Sequence, residues 1–277
     1  MTEAGLESPE EIASASLALP KGGSAYELTG MARGPWQADA AHGGAPAALL
    51  VREAESHNED GKMRLLSLSS TFFGPVMLGE IEITSEVVKP GRRQKVVSLK
   101  LTSNSRTAIE ARAILIRVTD VDLPDTVEPI GPTLAPVEDG EEVKRGLWFP
   151  GVEIAFHRTA NTVKVIEGGP ESVNHTGTAW FHLDCLVVPN EAVSPAQRAA
   201  AAADFGNGLA HPVAFGEFLF VNCDLNVNLL REPAGEWIGV VSRTDVDRVG
   251  SGLTVTELHD AEGRFGAASQ SLYVDRA

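Results

Sequence analysis

Residues 42–46, His42-Gly43-Gly44-Ala45-Pro46, lead directly into a run of strong helix formers over 47–54, so a glycine pair sits at the mouth of an apolar helix. The first N–H groups of a helix have no internal partner, and the helix dipole there favours negative charge. Glycine has no Cβ to block close approach, so Gly43 and Gly44 could hold an oxyanion as a carbonyl is attacked, or could simply make a tight turn. A second helix, alanine-rich and opened by Ser194-Pro195, runs through Ala203 and Asp204. Its lone carboxylate is either a general base or an ordinary cap or surface residue. Other chemistries lack their residues. There is no Gly-x-Ser-x-Gly elbow for a serine hydrolase, and the seven histidines show no HExxH or HxH spacing for a metal. Asp204-Phe205-Gly206 has no glycine-rich or catalytic loop to make it a kinase signature. Gly250-Ser251-Gly252 lacks the third glycine of a dinucleotide site and reads as a hairpin turn.

Composition narrows the classes further. The 277 residues are 43% hydrophobic and 22% charged, enough for one large or two ordinary domains with a real core. The net charge of −15, with no basic run longer than Arg92-Arg93-Gln94-Lys95, argues against nucleic-acid binding, which needs clustered cations. No window approaches the apolar length of a membrane span, and the acidic N-terminus lacks the order of a signal peptide. Cys185 and Cys223 stand far apart without metal spacing, which fits a reducing, cytoplasmic setting.

Strand-like runs over 65–73, 81–87, 96–101 and 111–116 follow the first helix, with turns at Pro90-Gly91 and Asn104-Ser105. Residues 1–22 read as a loosely held arm, and 24–30 as a first short strand. Residues 118–145 carry Pro124, Pro129, Pro132 and Pro136 with an acidic cluster at 138–142, the composition of a stiff, solvated linker. The same order then recurs: strands over 152–156 and 178–183, the alanine-rich helix, then strands over 218–229, 237–243, 252–258 and 265–274. Gly79-Glu80-Ile81 parallels Gly235-Glu236-Trp237, so the chain reads as a tandem duplication of one helix-plus-sheet unit. An antiparallel sheet wrapped on one helix buries that helix's apolar face, and two such sheets can join edge to edge.

Trp36 through Gly44 resembles the opening of thioesterase-like hotdog proteins. The second half resembles the acyl-CoA thioesterase II family in order and spacing. It has Asp204 on the helix, Asn222-Cys223-Asp224, Leu230-Arg231-Glu232-Pro233 before Glu236-Trp237, and Gly263 with Ala268-Ser269-Gln270 on the last strand. The resemblance spans about residues 25 to 275 and implies an α+β double hotdog: units at 1–118 and 146–277 joined by a linker at 119–145. It implies hydrolysis of an acyl-CoA by water held by an acid, a hydroxyl residue and a glutamine, which fall on Asp204, Asn222 and Gln270, with no cofactor. Asn222 departs from the pattern, because an amide offers donors and an acceptor where the family has a hydroxyl. Chemically, Asp204 would take the water's proton, Asn222 and Gln270 would aim it, and His42, Gly43 and Gly44 would meet the substrate or its oxyanion. Asp224 reads as a structural partner for Arg231 or for a backbone loop, and Arg92, Arg93 and Lys95 as an exposed hairpin more than a coenzyme A phosphate site. The rival functions are a non-catalytic acyl-CoA or acyl-carrier binding protein, and an enoyl-CoA hydratase, whose GDxNPxH-like segment is missing here. Further pairing into a homo-oligomer is an expectation from the resemblance.

Overall fold

In the computed structural model, residues 15–127, 130–143, 154–169 and 173–277 are described. Strands β1 (Ala18–Gly22) and β2 (Ala25–Leu28) precede helix α1 (Gly44–Glu55), and β3 (Met63–Phe72), β4 (Gly79–Lys89), β5 (Gln94–Ser103) and β6 (Arg106–Arg117) follow it. Asn104 and Ser105 both take positive φ, 51° and 59°, the backbone of a two-residue hairpin whose twist matches its strands. Beyond the proline-rich stretch come β7 (Glu141–Glu142), β8 (Asn161–Glu167), β9 (Thr176–Leu183), helices α2 (Pro195–Ala203) and α3 (Gly206–Leu209), then β10 (Phe218–Asn222), β11 (Asp224–Leu229), β12 (Trp237–Val246), β13 (Ser251–Asp260) and β14 (Gly263–Arg276).

All strand pairs are antiparallel and form one sheet, ordered β1-β2-β4-β5-β6-β3-β11-β14-β13-β12-β9-β8-β7, with β10 paired to the end of β14. From each side toward the centre the order is the same: β2-β4-β5-β6-β3 on one side, β9-β12-β13-β14-β11 on the other. The two series meet where β3 pairs β11, from Thr71 opposite Asp224 to Ser67 opposite Asn228. Helix α1 packs on β3, β4, β5 and β6, and α2 on β9, β12 and β13, while the helices also pack on each other.

Small residues set that helix pair. Gly44, Ala45, Ala47, Ala48 and Ala54 on α1, and Ala196 with Ala199 to Ala203 on α2, are buried. A Cβ on Gly44 would approach the Ala201 carbonyl oxygen closer than any real Cβ does. The α2 start is capped by Ser194, whose Oγ accepts from Gln197 N at 3.1 Å.

Several expectations need correction. Residues 15–22 are held rather than loose, since Leu17 and Ala18 donate to the carbonyls of Leu186 and Val187 and β1 pairs β2. Residues 1–14 lie outside the described residues. The strand expected over 152–156 falls partly outside them; the described part, Ile154 to Phe156, is irregular, and the strand lies instead at Asn161–Glu167. The run expected over 218–229 breaks at Cys223 into β10 and β11. In the proline-rich stretch the described residues 119–127 and 130–133 are exposed, while at Ala135 the chain touches the second half, its carbonyl accepting from Trp180 Nε1 at 2.9 Å.

Asp224 does not pair with Arg231. It accepts from Ser271 N and Oγ at 2.7 and 2.9 Å, joining β11 to β14. Arg231 instead forks onto Asp260, whose side chain is fully buried and also accepts from the backbone N–H groups of Ala234, Glu262 and Gly263. Burial alone would raise the Asp260 carboxyl, but Arg231 and those amides outweigh it and hold it below the usual carboxylate range. Asp260→Ala should therefore cost about 2–4 kcal/mol at neutral pH, the loss of a buried ion pair whose Arg can still reach water. A carboxyl depressed in the fold contributes stability above its unfolded value and loses it as pH falls through the folded one. Urea melts at pH 7 and pH 3 should accordingly show the gap between variant and wild type closing at the lower pH.

Candidate active site

Asp204 is the C-cap of α2, where the negative end of the helix dipole opposes a carboxylate. It is only 5% exposed, so its charge needs donors; two side chains supply them and a third stands close. Asn222, ending β10, donates Nδ2–H to Asp204 Oδ1 at 2.5 Å. Gln270 on β14 reaches Oδ1 and the Asp204 carbonyl through Nε2, both at 3.3 Å. His42 places Nδ1 2.9 Å from Oδ2. The start of α1 completes the enclosure: a Cβ on Gly43 would lie 2.8 Å from Oδ2 and 3.0 Å from Oδ1, so only glycine fits there.

A second layer orients these groups. Asn207, the second residue of α3, donates Nδ2–H to Asn222 Oδ1 at 2.7 Å, which fixes the Asn222 amide with its nitrogen toward Asp204. Its backbone N–H meets Gln270 Oε1 at 3.2 Å. Gln270 has no exposed surface and sits behind the carboxylate. Beneath it, Ser242 and Thr256 share a hydrogen bond of 2.8 Å, and Gly206 lies against Thr256, Gln270 and Ser242 with no room for a side chain. Phe205, next to Asp204, stacks on Phe156 and Phe181 at centroid distances of 5.6 and 4.4 Å, anchoring the end of α2 in the core.

His42, Gly43, Asp204 and Asn222 open onto a cavity of about 420 Å³. Its walls are aromatic and apolar. Trp36 comes from the first half and packs on Phe215 and Phe220 of the second at 5.6 and 5.0 Å, with Phe72 and Pro75 also lining the space. A carboxylate and an amide thus face an apolar chamber beside a helix N-terminus, which is an arrangement for adding water to a carbonyl.

The family model of the acyl-CoA thioesterase N-terminal domain matches residues 32–117, and that of the acyl-CoA thioesterase C-terminal domain matches residues 124–274. The chain belongs to the acyl-CoA thioesterase family. Membership makes it a thioester hydrolase. Solved structures agree on the fold. A protein from Thermobifida fusca, provisionally assigned as a thioesterase II, aligns with a TM-score of 0.72 at 19% identity, covering 95% of this chain and 97% of its own. A hot dog fold protein from Alicyclobacillus acidocaldarius gives 0.69 at 17%, covering 95% and 97%. The acyl-CoA thioesterase II TesB2 of Mycobacterium marinum gives 0.63 at 13%, covering 97% of each. This member of the family therefore has the hot dog fold. No curated protein matches the sequence.

In this thioesterase the structure brings Asp204, Asn222 and Gln270 together with His42 and Gly43, while Arg92, Arg93 and Lys95 are not among the residues lining the cavity. Lys95 instead donates to the carbonyl of His57. Sequence reasoning missed Asn207, three residues beyond Asp204, and the inward hydroxyls Ser242 and Thr256. The available signal was small polar residues at positions of β12 and β13 whose alternation faces the core. Among the described residues no cluster of His, Cys, Asp and Glu could hold a metal, and no helix is long and apolar enough to cross a membrane.

Proposed function

We propose that this chain cleaves an acyl-CoA by direct attack of a water held at Asp204 and Asn222, with Gln270 as the group that fixes the carboxylate from behind. The observation that carries the reading is the saturation pattern of Asp204. Oδ1 already receives Asn222 and Gln270, whereas among the described residues no hydrogen bond ends on Oδ2, with His42 Nδ1 2.9 Å away, so an acceptor position on Oδ2 is left for a water proton. Asn222 spends one of its two N–H groups on Asp204, and the other can hold the water's oxygen. In the hydroxyl residue's place, an amide thus does both jobs, orienting the base and the nucleophile.

The water oxygen bonds to the thioester carbon as the carbonyl π pair moves onto oxygen, and Asp204 takes the released proton. The N–H of Gly43, at the start of α1 and on the cavity wall, would stabilise that oxyanion, while the Gly44 N–H donates instead to His42 Nδ1 at 3.2 Å. The carbonyl then re-forms, the C–S bond breaks with its electron pair on sulfur, and the proton passes to the departing thiolate. The tandem arrangement, with units at 1–118 and 146–277 and a linker at 119–145, draws support from the mirrored strand order and from the site itself, where His42 and Gly43 come from one half and Asp204 from the other. The free thiols of Cys185 and Cys223 suit a reducing, cytoplasmic setting.

Release of free thiol, followed over acyl-CoAs of increasing chain length and over an aryl-CoA, tests the proposal. Steady turnover on at least one substrate is expected. Tight binding with no release across the panel would make the protein an acyl-CoA binder instead.

A further inference from the structure

Asn222 is an amide, and an amide has two different ends. Asp204 offers only acceptors when ionised, so the end of Asn222 that faces Oδ1 at 2.5 Å must be its NH₂. The Asn222 carbonyl then points the other way and needs a donor of its own. A hydroxyl in this place would donate and accept through one rotating oxygen and would need no such help. An amide here therefore creates a demand for a second residue that decides which way round it sits.

Asn207 meets that demand, and the fold places it with little freedom. Its Nδ2–H donates to Asn222 Oδ1 at 2.7 Å, and its backbone N–H donates to Gln270 Oε1 at 3.2 Å. The second bond turns the Gln270 NH₂ toward Asp204, whose Oδ1 it reaches at 3.3 Å. A backbone N–H can only donate, so the sense of that bond is fixed. One residue thus sets both amides that end on the carboxylate. Asn207 comes this close because Gly206 lets the α3 turn lie on Gln270. A Cβ on Gly206 would stand 2.9 Å from Gln270 Oε1 and 2.5 Å from Thr256 Oγ1. Leu209 N donates to Phe205 O at 2.9 Å, which closes the turn, and Asn207 lines the cavity beside Asn222.

We infer that Asn207 is a positioning residue of the hydrolytic site: its side chain holds the Asn222 NH₂ toward Asp204 and the water, and its weight depends on Asn222 being an amide. The inference rests on the proposed function above. Without the Asn207 donor, a reversed Asn222 would set its carbonyl oxygen against the Asp204 carboxylate, or would swing away from it. In either case its NH₂ no longer serves the base and the water together. The effect falls on the nucleophile and its base rather than on the acyl-CoA, so it belongs in kcat.

The experiment is a double-mutant cycle, read by thermal melting and by thiol release from the acyl-CoA that turns over fastest in the panel above. Asn207→Ala and Asn207→Leu, the second close to asparagine in size, each remove the donor and keep the backbone N–H. Both should lower kcat about 10- to 100-fold, with KM within about threefold of wild type. In the Asn222→Thr and Asn222→Ser backgrounds, where a hydroxyl orients itself, Asn207→Ala should change kcat by less than about threefold. An equal loss in the amide and hydroxyl backgrounds overturns the inference, as do wild-type rates in the Asn207 variants, a loss confined to KM, or unfolding of both. Hydroxyl backgrounds with no measurable rate overturn it too, because a hydroxyl there should serve without Asn207. Asn222→Ala separates this inference from the reading beneath it. If Asn222→Ala is slow while Asn207→Ala runs at the wild-type rate, only the role of Asn207 falls. If Asn222→Ala itself runs at the wild-type rate, or no acyl-CoA in the panel is cleaved, the water-holding role of Asn222 falls and that of Asn207 with it.

Discussion

Asp204→Asn is expected to lower kcat by about 10²–10⁴-fold, the range general-base assistance typically supplies, while leaving the fold and KM close to wild type. The substitution is nearly isosteric, and its surroundings can accept an amide. The new carbonyl oxygen can still take Asn222 and Gln270, and the new NH₂ would face His42 Nδ1, the nitrogen that accepts from the Gly44 N–H. The site thus keeps its packing and loses only the group that can accept a proton. Uniform binding is untouched, so the effect belongs in kcat. Asp224→Asn is the matched control: it also lies in the second half, at the start of β11, but its carboxylate serves Ser271 at the β11–β14 junction. That variant should keep its rate within about threefold, an effect below 1 kcal/mol. Steady-state thiol release with purified, thermally intact variants decides the matter. A rate for Asp204→Asn above about a tenth of wild type would assign the proton acceptor elsewhere.

Much of the fold was legible because each unit repeats short-range rules. Alternation gave the strands of both halves, glycine and proline marked the hairpins, and Ser194-Pro195 announced the start of α2. The parts that escaped depend on partners far away in sequence. Residues 15–22 look featureless until Leu17 and Ala18 find Leu186 and Val187. The break at Cys223 is invisible in a run of strand formers, yet it lets β10 pair the end of β14 while β11 turns to join β3 across the centre of the sheet. Asp224 and Arg231 are close in sequence and opposite in charge. Asp260 wins Arg231 because a fork of two N–H groups and three backbone donors converge on it. The site divides the same way. The order Asp204, Asn222, Gln270 could be matched along the chain, but the approach of His42 to Asp204 joins residues on different halves. No local pattern encodes that distance.

Gly44→Ala should damage stability and rate together, against the direction that helix propensity predicts. Alanine is favoured over glycine inside a helix by up to about 1 kcal/mol, so on that ground alone α1 would gain. The added methyl, however, meets the Ala201 carbonyl oxygen of α2 and the edge of the Phe156 ring at 2.8 Å. A flexible side-chain tip could move aside, but a backbone oxygen in the middle of a buried helix cannot, so the two helices must part. Overpacking of that kind typically costs about 1–3 kcal/mol, which exceeds the propensity gain and makes the net change destabilising. The helices part at the point where the start of α1 meets the end of α2, which is where Gly43 touches the Asp204 carboxylate and His42 reaches Oδ2. A displacement near 1 Å between base and substrate-binding backbone can cost about 10²-fold in rate. Chemical denaturation paired with thiol-release kinetics reads both effects, and Gly131→Ala, where a Cβ would meet nothing within 4 Å, sets the baseline at about ±0.5 kcal/mol. A Gly44→Ala protein as stable and as active as the wild type would mean that the close approach of the two helices neither limits their packing nor sets the geometry of the site.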